Sequence, residues 1–75
     1  MKPLTDLQRQ ALLMLARGFS QKQVAVQLGT NRMTLANRCQ RATFRLGARN
    51  TLHAVVLALN AGILSMEEII GKDDL

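Results

Sequence analysis

Residues 20–47 constrain this chain more than any other stretch. They read Ser20-Gln21-Lys22-Gln23-Val24-Ala25-Val26-Gln27-Leu28-Gly29-Thr30-Asn31, then Arg32-Met33-Thr34-Leu35-Ala36-Asn37-Arg38-Cys39-Gln40-Arg41-Ala42-Thr43-Phe44-Arg45-Leu46-Gly47. The Ser20 hydroxyl can accept a hydrogen bond from a free amide at a helix start. Gln23, three positions on, can reach back to the Ser20 amide, which makes a capping box. Gly29 supplies the left-handed residue that ends such a helix, and Asn31 or Thr30 is suited to cap the next one. A turn of about three or four residues between two helices is the spacing of a helix-turn-helix, and that arrangement is the prediction for this stretch.

The second helix of the pair, about residues 32–46, has two faces. Leu35, Cys39, Ala42 and Leu46 recur at steps of four, three and four and line an inner side. Met33, Asn37, Gln40 and Phe44 lie opposite, flanked by Arg41, while Arg38, Arg41 and Arg45 form a basic flank. Asn and Gln can pair with adenine, Arg with guanine, and an apolar group can touch the thymine methyl. An amphipathic helix with a solvated basic face has the same pattern. The capped helix before it favours insertion in a DNA major groove.

Charge points the same way. The 75-residue chain carries a formal net charge of +5. Up to Gly62 there are nine Lys or Arg and one acid, Asp6. The remaining residues hold one Lys and four acids. Five arginines fall between Arg32 and Arg49 with no acid among them, which suits a polyanion such as a phosphate backbone. Aromatics make up only 3%, so the core of this one small domain must be aliphatic and helical.

The flanking segments complete an all-α chain. Thr5 and Gln8 form a capping box for a helix over about residues 6–17, with Asp6 in its first turn and Gly18 at its end. Leu12, Leu15 and Ala16 are its expected inward face, beside Ala11 and Met14. Asn50 caps a fourth helix over about residues 51–61, closed by Gly62. That helix is apolar almost all round and needs two partners. Leu52, Val55, Val56 and Leu59 form one stripe, suited to the domain core. Ala54, Leu57, Ala58 and Ala61 form a second, of small residues that allow close helix approach. A homodimer through the second stripe is expected, with fold-back of the C-terminal segment over it as the alternative. Ser65 and Glu68 make another capping box, for a short helix over about residues 66–70. Residues 72–75 are expected to fray. The domain reading is 1–64 for the helix-turn-helix unit and 65–75 for a short acidic helix and tail.

Catalytic chemistry has no visible support. One histidine, His53, read as an exposed helix residue, and one cysteine, Cys39, on an apolar face, give no metal-ligand spacing. There is no glycine-rich phosphate loop, and four of the five acids lie in the last thirteen residues. No enzyme, metal or cofactor is expected. The longest apolar run, residues 54–59, is too short to cross a membrane, and no signal peptide is evident, so a cytoplasmic location is expected.

Taken together, Leu4-Thr5, residues 15–25, Leu28, Thr34-Leu35, Arg45-Leu46-Gly47-Ala48, Asn50 and Ala54-Val55 resemble the LuxR/GerE-type helix-turn-helix domain of bacterial transcription regulators. The resemblance covers residues 4–64. It implies a four-helix DNA-binding domain that dimerises through its last helix and controls transcription, often by contact with RNA polymerase. It also implies phosphate contacts at Lys22, Arg32 and Thr34 and base-facing roles at Asn37, Gln40 and Arg41. Leu7, Gln8 and Gln10 depart from an arginine and two glutamates of the family pattern, Ala36 from a lysine, Arg38 from a histidine and Thr30-Asn31 from Ile-Ser. A complete chain of this kind would be a stand-alone regulator; a fragment would take its control from the missing part. Leu28-Gly29 and Arg41-Ala42 through Leu46 also look like sigma-factor region four, although the fourth helix fits the LuxR/GerE type better.

The resulting expectation is a four-helix domain with a short extra C-terminal helix that binds double-stranded DNA. Met33, Asn37, Gln40 and Arg41 are assigned to bases. Lys22, Arg32, Thr34, Arg38 and Arg45 are assigned to phosphates. Ala54, Leu57, Ala58 and Ala61 are assigned to a homodimer contact. The alternative is a protein-interaction module, such as an anti-activator that pairs with a larger regulator through the last helix.

Overall fold

The computed structural model describes residues 4–71. Residues 72–75, expected to fray, lie outside them. Five helices follow in order: α1 (Asp6–Ala16), α2 (Gln21–Gln27), α3 (Arg32–Arg45), α4 (Thr51–Asn60) and α5 (Met66–Ile70). No strand occurs among the described residues, so the all-α expectation holds.

Each helix begins where a polar side chain can close it. Thr5 with Gln8, Ser20 with Gln23 and Ser65 with Glu68 form reciprocal capping boxes. Asn31 and Asn50 accept the amide N–H of Thr34 and His53, each at 2.8 Å. These bonds satisfy amides that have no partner inside their own helix. The turn between α2 and α3 is built on Gly29, at φ +65°. There the Thr30 N–H donates to the Ala25 carbonyl at 2.9 Å, and the Gly29 N–H to Val26 at 3.1 Å. This crossed pair ends α2 sharply and sets the angle at which α3 leaves.

The core has two adjoining halves, and α1 and α3 run through both. In one half Ala11, Val24, Ala25, Leu35 and Cys39 are buried together. In the other, Leu4, Leu12, Ala42, Ala54, Ala58 and Leu64 are buried, with Leu13, Leu46, Val55 and Leu59 packed against them. The inner side of α3 is the predicted one, Leu35, Cys39, Ala42 and Leu46. Because Leu35 and Cys39 anchor it to α1 and α2, and Ala42 and Leu46 to α1 and α4, α3 is held along its whole length. Burial also pushes the Cys39 thiol up from its ordinary value, which keeps it an inert core group.

The orientation of α4 corrects the sequence reading. Ala54 and Ala58, assigned to a dimer contact, are completely buried inside the chain. Leu57 is half-buried and Ala61 exposed. Of the stripe expected to face the core, Val55 and Leu59 do pack against it, but Leu52 and Val56 are 75% and 53% exposed. The physical reason is close approach. The small alanines let α4 lie directly against α1 and α3, and the larger residues are left on the flanks and the outside.

The C-terminal segment folds back: Leu64 is buried with Ala54 and Ala58 of the small-residue stripe, α5 packs on α1, and Leu52 and Val56 stay exposed. Arg9 forms an ion pair with Glu68 and donates from Nε to the Ile63 carbonyl at 3.0 Å. Arg17 Nε donates to the Glu68 carbonyl at 2.7 Å. No helix among the described residues is long and apolar enough to cross a membrane.

Candidate nucleic-acid interface

The outer side of α3 is open along its length. Met33 is 76% exposed, and Asn37, Gln40 and Arg41 are exposed beside it. At 3.6 residues per turn, Met33, Asn37, Gln40 and Phe44 fall on one line opposite the buried stripe. The helix is the right width for a B-DNA major groove, about 12 Å across.

The basic flank faces the start of α1. Thr34, Asn37, Arg38 and Arg41 line an open cleft of about 350 Å³ with Thr5, Leu7 and Gln8. Gln40, Arg41, Phe44 and Arg45 line the neighbouring cleft, with Gln8 at its floor. Thr34 and Arg38 are half-buried, whereas Arg32 and Arg45 are exposed. Within the first cleft, the Arg38 Nη1 atom is buried and has no hydrogen-bond partner among the described residues. A buried guanidinium N–H without an acceptor is costly, and a rotation of the Arg38 side chain into the cleft would let a phosphate oxygen supply one.

Lys22 stands apart from this group. It lies exposed on α2 beside Phe19, Gln23, Val26 and Gln27. The structure therefore brings together Thr34, Asn37, Arg38, Gln40, Arg41 and Arg45, and leaves Lys22 on a second element and Arg32 and Met33 at the tip of α3.

Among the described residues, the formal charges on this face are of one sign. The acids among the described residues are Asp6 in the first turn of α1 and Glu67 and Glu68 in α5. Asp6 lines a cleft with Arg9 and Ile63, away from the outer stripe of α3. Glu68 is taken up by Arg9. No acid belongs to α2, α3 or α4.

Sequence reasoning missed the wall made by Leu7 and Gln8. Gln8 is 93% buried because it both completes the Thr5 cap and packs under α3, and nothing in a lone Gln signals the second role. His53, read as an exposed helix residue, is half-buried and functional in the turn. Its Nδ1 accepts the Arg49 N–H at 3.0 Å, which fixes the residue that links α3 to α4. Among the described residues there is no group of three or more His, Cys, Asp or Glu that could hold a metal ion.

No family model matches the sequence, and no curated protein matches it either. A solved structure does: that of the transcription factor GerE, with a TM-score of 0.82 and 28% identity, over 87% of this chain and 97% of that one. The helices thus follow the same course as in that structure over most of the chain, and the chain carries a GerE-like helix-turn-helix domain of the LuxR type.

Proposed function

We propose that this protein is a transcription regulator that binds double-stranded DNA sequence-specifically, with α3 in the major groove, and that it acts as a homodimer. One observation carries the reading. The exposed stripe of Met33, Asn37, Gln40 and Arg41 is rimmed by Arg38 and Arg45 and has no acid on its own or the adjoining helix α2. Base-reading falls to Met33, Asn37, Gln40 and Arg41. Phosphate contact falls to Lys22, Arg32, Thr34, Arg38 and Arg45, with the unpartnered Arg38 Nη1 as support. The likeness to a transcription factor agrees with it.

For the dimer, the contact moves to the outer stripe of α4. Leu52 and Val56 are large, apolar and exposed, with Leu59 beside them, and α5 packs elsewhere. The same stripe favours the second reading, a module that pairs with a larger regulator or with RNA polymerase.

Fluorescence anisotropy of a labelled random duplex at two salt concentrations tests the main reading. Expected is binding whose logarithm falls with the logarithm of salt at a slope of about −0.9 per phosphate neutralised. On a selected site and its single-base variants, Arg41→Ala and Gln40→Ala relax sequence preference, and Lys22→Ala weakens all duplexes about equally. Absence of binding at low salt would overturn the reading in favour of a protein partner.

A further inference from the structure

We infer that Phe44 reads thymine, by apolar contact between its ring and the 5-methyl group in the major groove; the inference rests on the DNA-binding reading of α3. Phe44 is 86% exposed, the most exposed of the large apolar side chains in the structure. Its ring therefore stabilises no core, and its position must be explained by something outside the described chain or by nothing. It sits on the same line of α3 as Met33, Asn37 and Gln40, which by helical periodicity is the line farthest from the buried stripe.

The surroundings select the occupant. On one side Phe44 shares a cleft with Gln40, Arg41 and Arg45, and on the other with Thr43, Arg49 and Asn50. An apolar protein surface laid on Phe44 would also cover the neighbouring guanidinium groups, at a heavy desolvation cost. A duplex meets both needs at once. Its phosphates lie at the groove edges, which long flanking arginine side chains can meet, and its floor offers one apolar group, the thymine methyl. Met33 and Phe44 lie eleven positions apart on this line, so about 16 Å apart along the axis, or about five base-pair steps of 3.4 Å. The polar readers Asn37, Gln40 and Arg41 fall between these two apolar ends.

Replacing thymine by deoxyuridine removes the methyl and leaves every hydrogen-bonding group in place. A preferred duplex is first selected from a random pool with the full chain. Each thymine is then replaced in turn, and affinity is measured for the wild type, Phe44→Ala and Phe44→Leu. Expected is one thymine at which the wild type and Phe44→Leu lose about fourfold, the order of one buried methyl group, while Phe44→Ala binds both forms equally. The inference is overturned if no uridine replacement weakens the wild type, or if Phe44→Ala still discriminates at every position where the wild type does. In both of those cases salt-dependent duplex binding persists, so the DNA-binding reading survives. If no duplex is bound at low salt, that reading fails and this inference fails with it.

Discussion

The Arg9 guanidinium and the Glu68 carboxylate, 59 positions apart, form an ion pair that fastens α5 to α1. The same carboxylate accepts the Ser65 N–H at 2.9 Å, so it caps its own helix while it grips another. The hydrogen bond from Arg9, and after it the one from Ser65, hold the Glu68 carboxyl below the usual carboxylate value. A group depressed in this way stabilises the folded arrangement above the unfolded carboxylate range, and its contribution fades as pH falls through the folded value.

The expected outcome is an acid-triggered loosening of α5. Amide resonances of residues 66–70 in the wild type should move toward coil positions as pH drops below about 4, the ordinary Glu range. In Glu68→Gln they should stand near coil positions at neutral pH already. Global melting should change little, because a partly exposed pair contributes little net stability. A Glu68→Gln protein whose α5 resonances match the wild type at neutral pH would show that the apolar contacts of α5, and not this pair, hold it.

What the sequence made legible follows from where polar residues mark a boundary. Thr5, Ser20, Asn31, Asn50 and Ser65 cap helices at the expected positions, because a capping side chain acts on amides two or three residues away and needs no tertiary context. The inner stripe of α3 was readable because arginines and amides mark its other side. In α4 no such mark exists. Ala54, Val55, Val56, Leu57, Ala58 and Leu59 give a helix without a polar face, so periodicity could not tell which stripe turns inward. The three-dimensional fit decided it, in favour of the smallest side chains. The role of Glu68 was hidden for a different reason: its partner is almost the whole chain away. At the interface, the exposed stripe of α3 was legible and the wall from Leu7 and Gln8 was not, since it depends on how α1 crosses α3.

That corrected orientation of α4 gives opposite expectations for two neighbouring positions. Ala58 has no exposed surface. Ala58→Leu should force larger atoms between α4 and its neighbours and destabilise by about 1–3 kcal/mol, read in chemical denaturation. Val56→Glu, on the exposed side, should leave the denaturation midpoint of the monomer nearly unchanged. It should convert a dimer to monomers in sedimentation equilibrium. If Val56→Glu leaves the oligomeric state as it was and Ala58→Leu is tolerated, the packing of α4 described above is wrong in phase.

Arg38 joins stability to binding in one side chain. Its Nη1 is buried without a hydrogen-bond acceptor among the described residues, in a cleft shared with Thr34, Asn37 and Arg41. An unsatisfied buried polar group costs about 1–3 kcal/mol. Arg38→Met keeps most of the stem and removes the donor, so the variant should melt at a Tm no lower than the wild type and up to several degrees higher. Duplex binding should weaken for all sequences, with the salt slope smaller by about one. The two effects have opposite signs, and that opposition separates a phosphate-seeking arginine from a packing one. A merely structural Arg38 would lower Tm on substitution and leave the salt slope alone. A rise in Tm with a flatter salt dependence would show that Arg38 serves a phosphate contact at some cost to the fold.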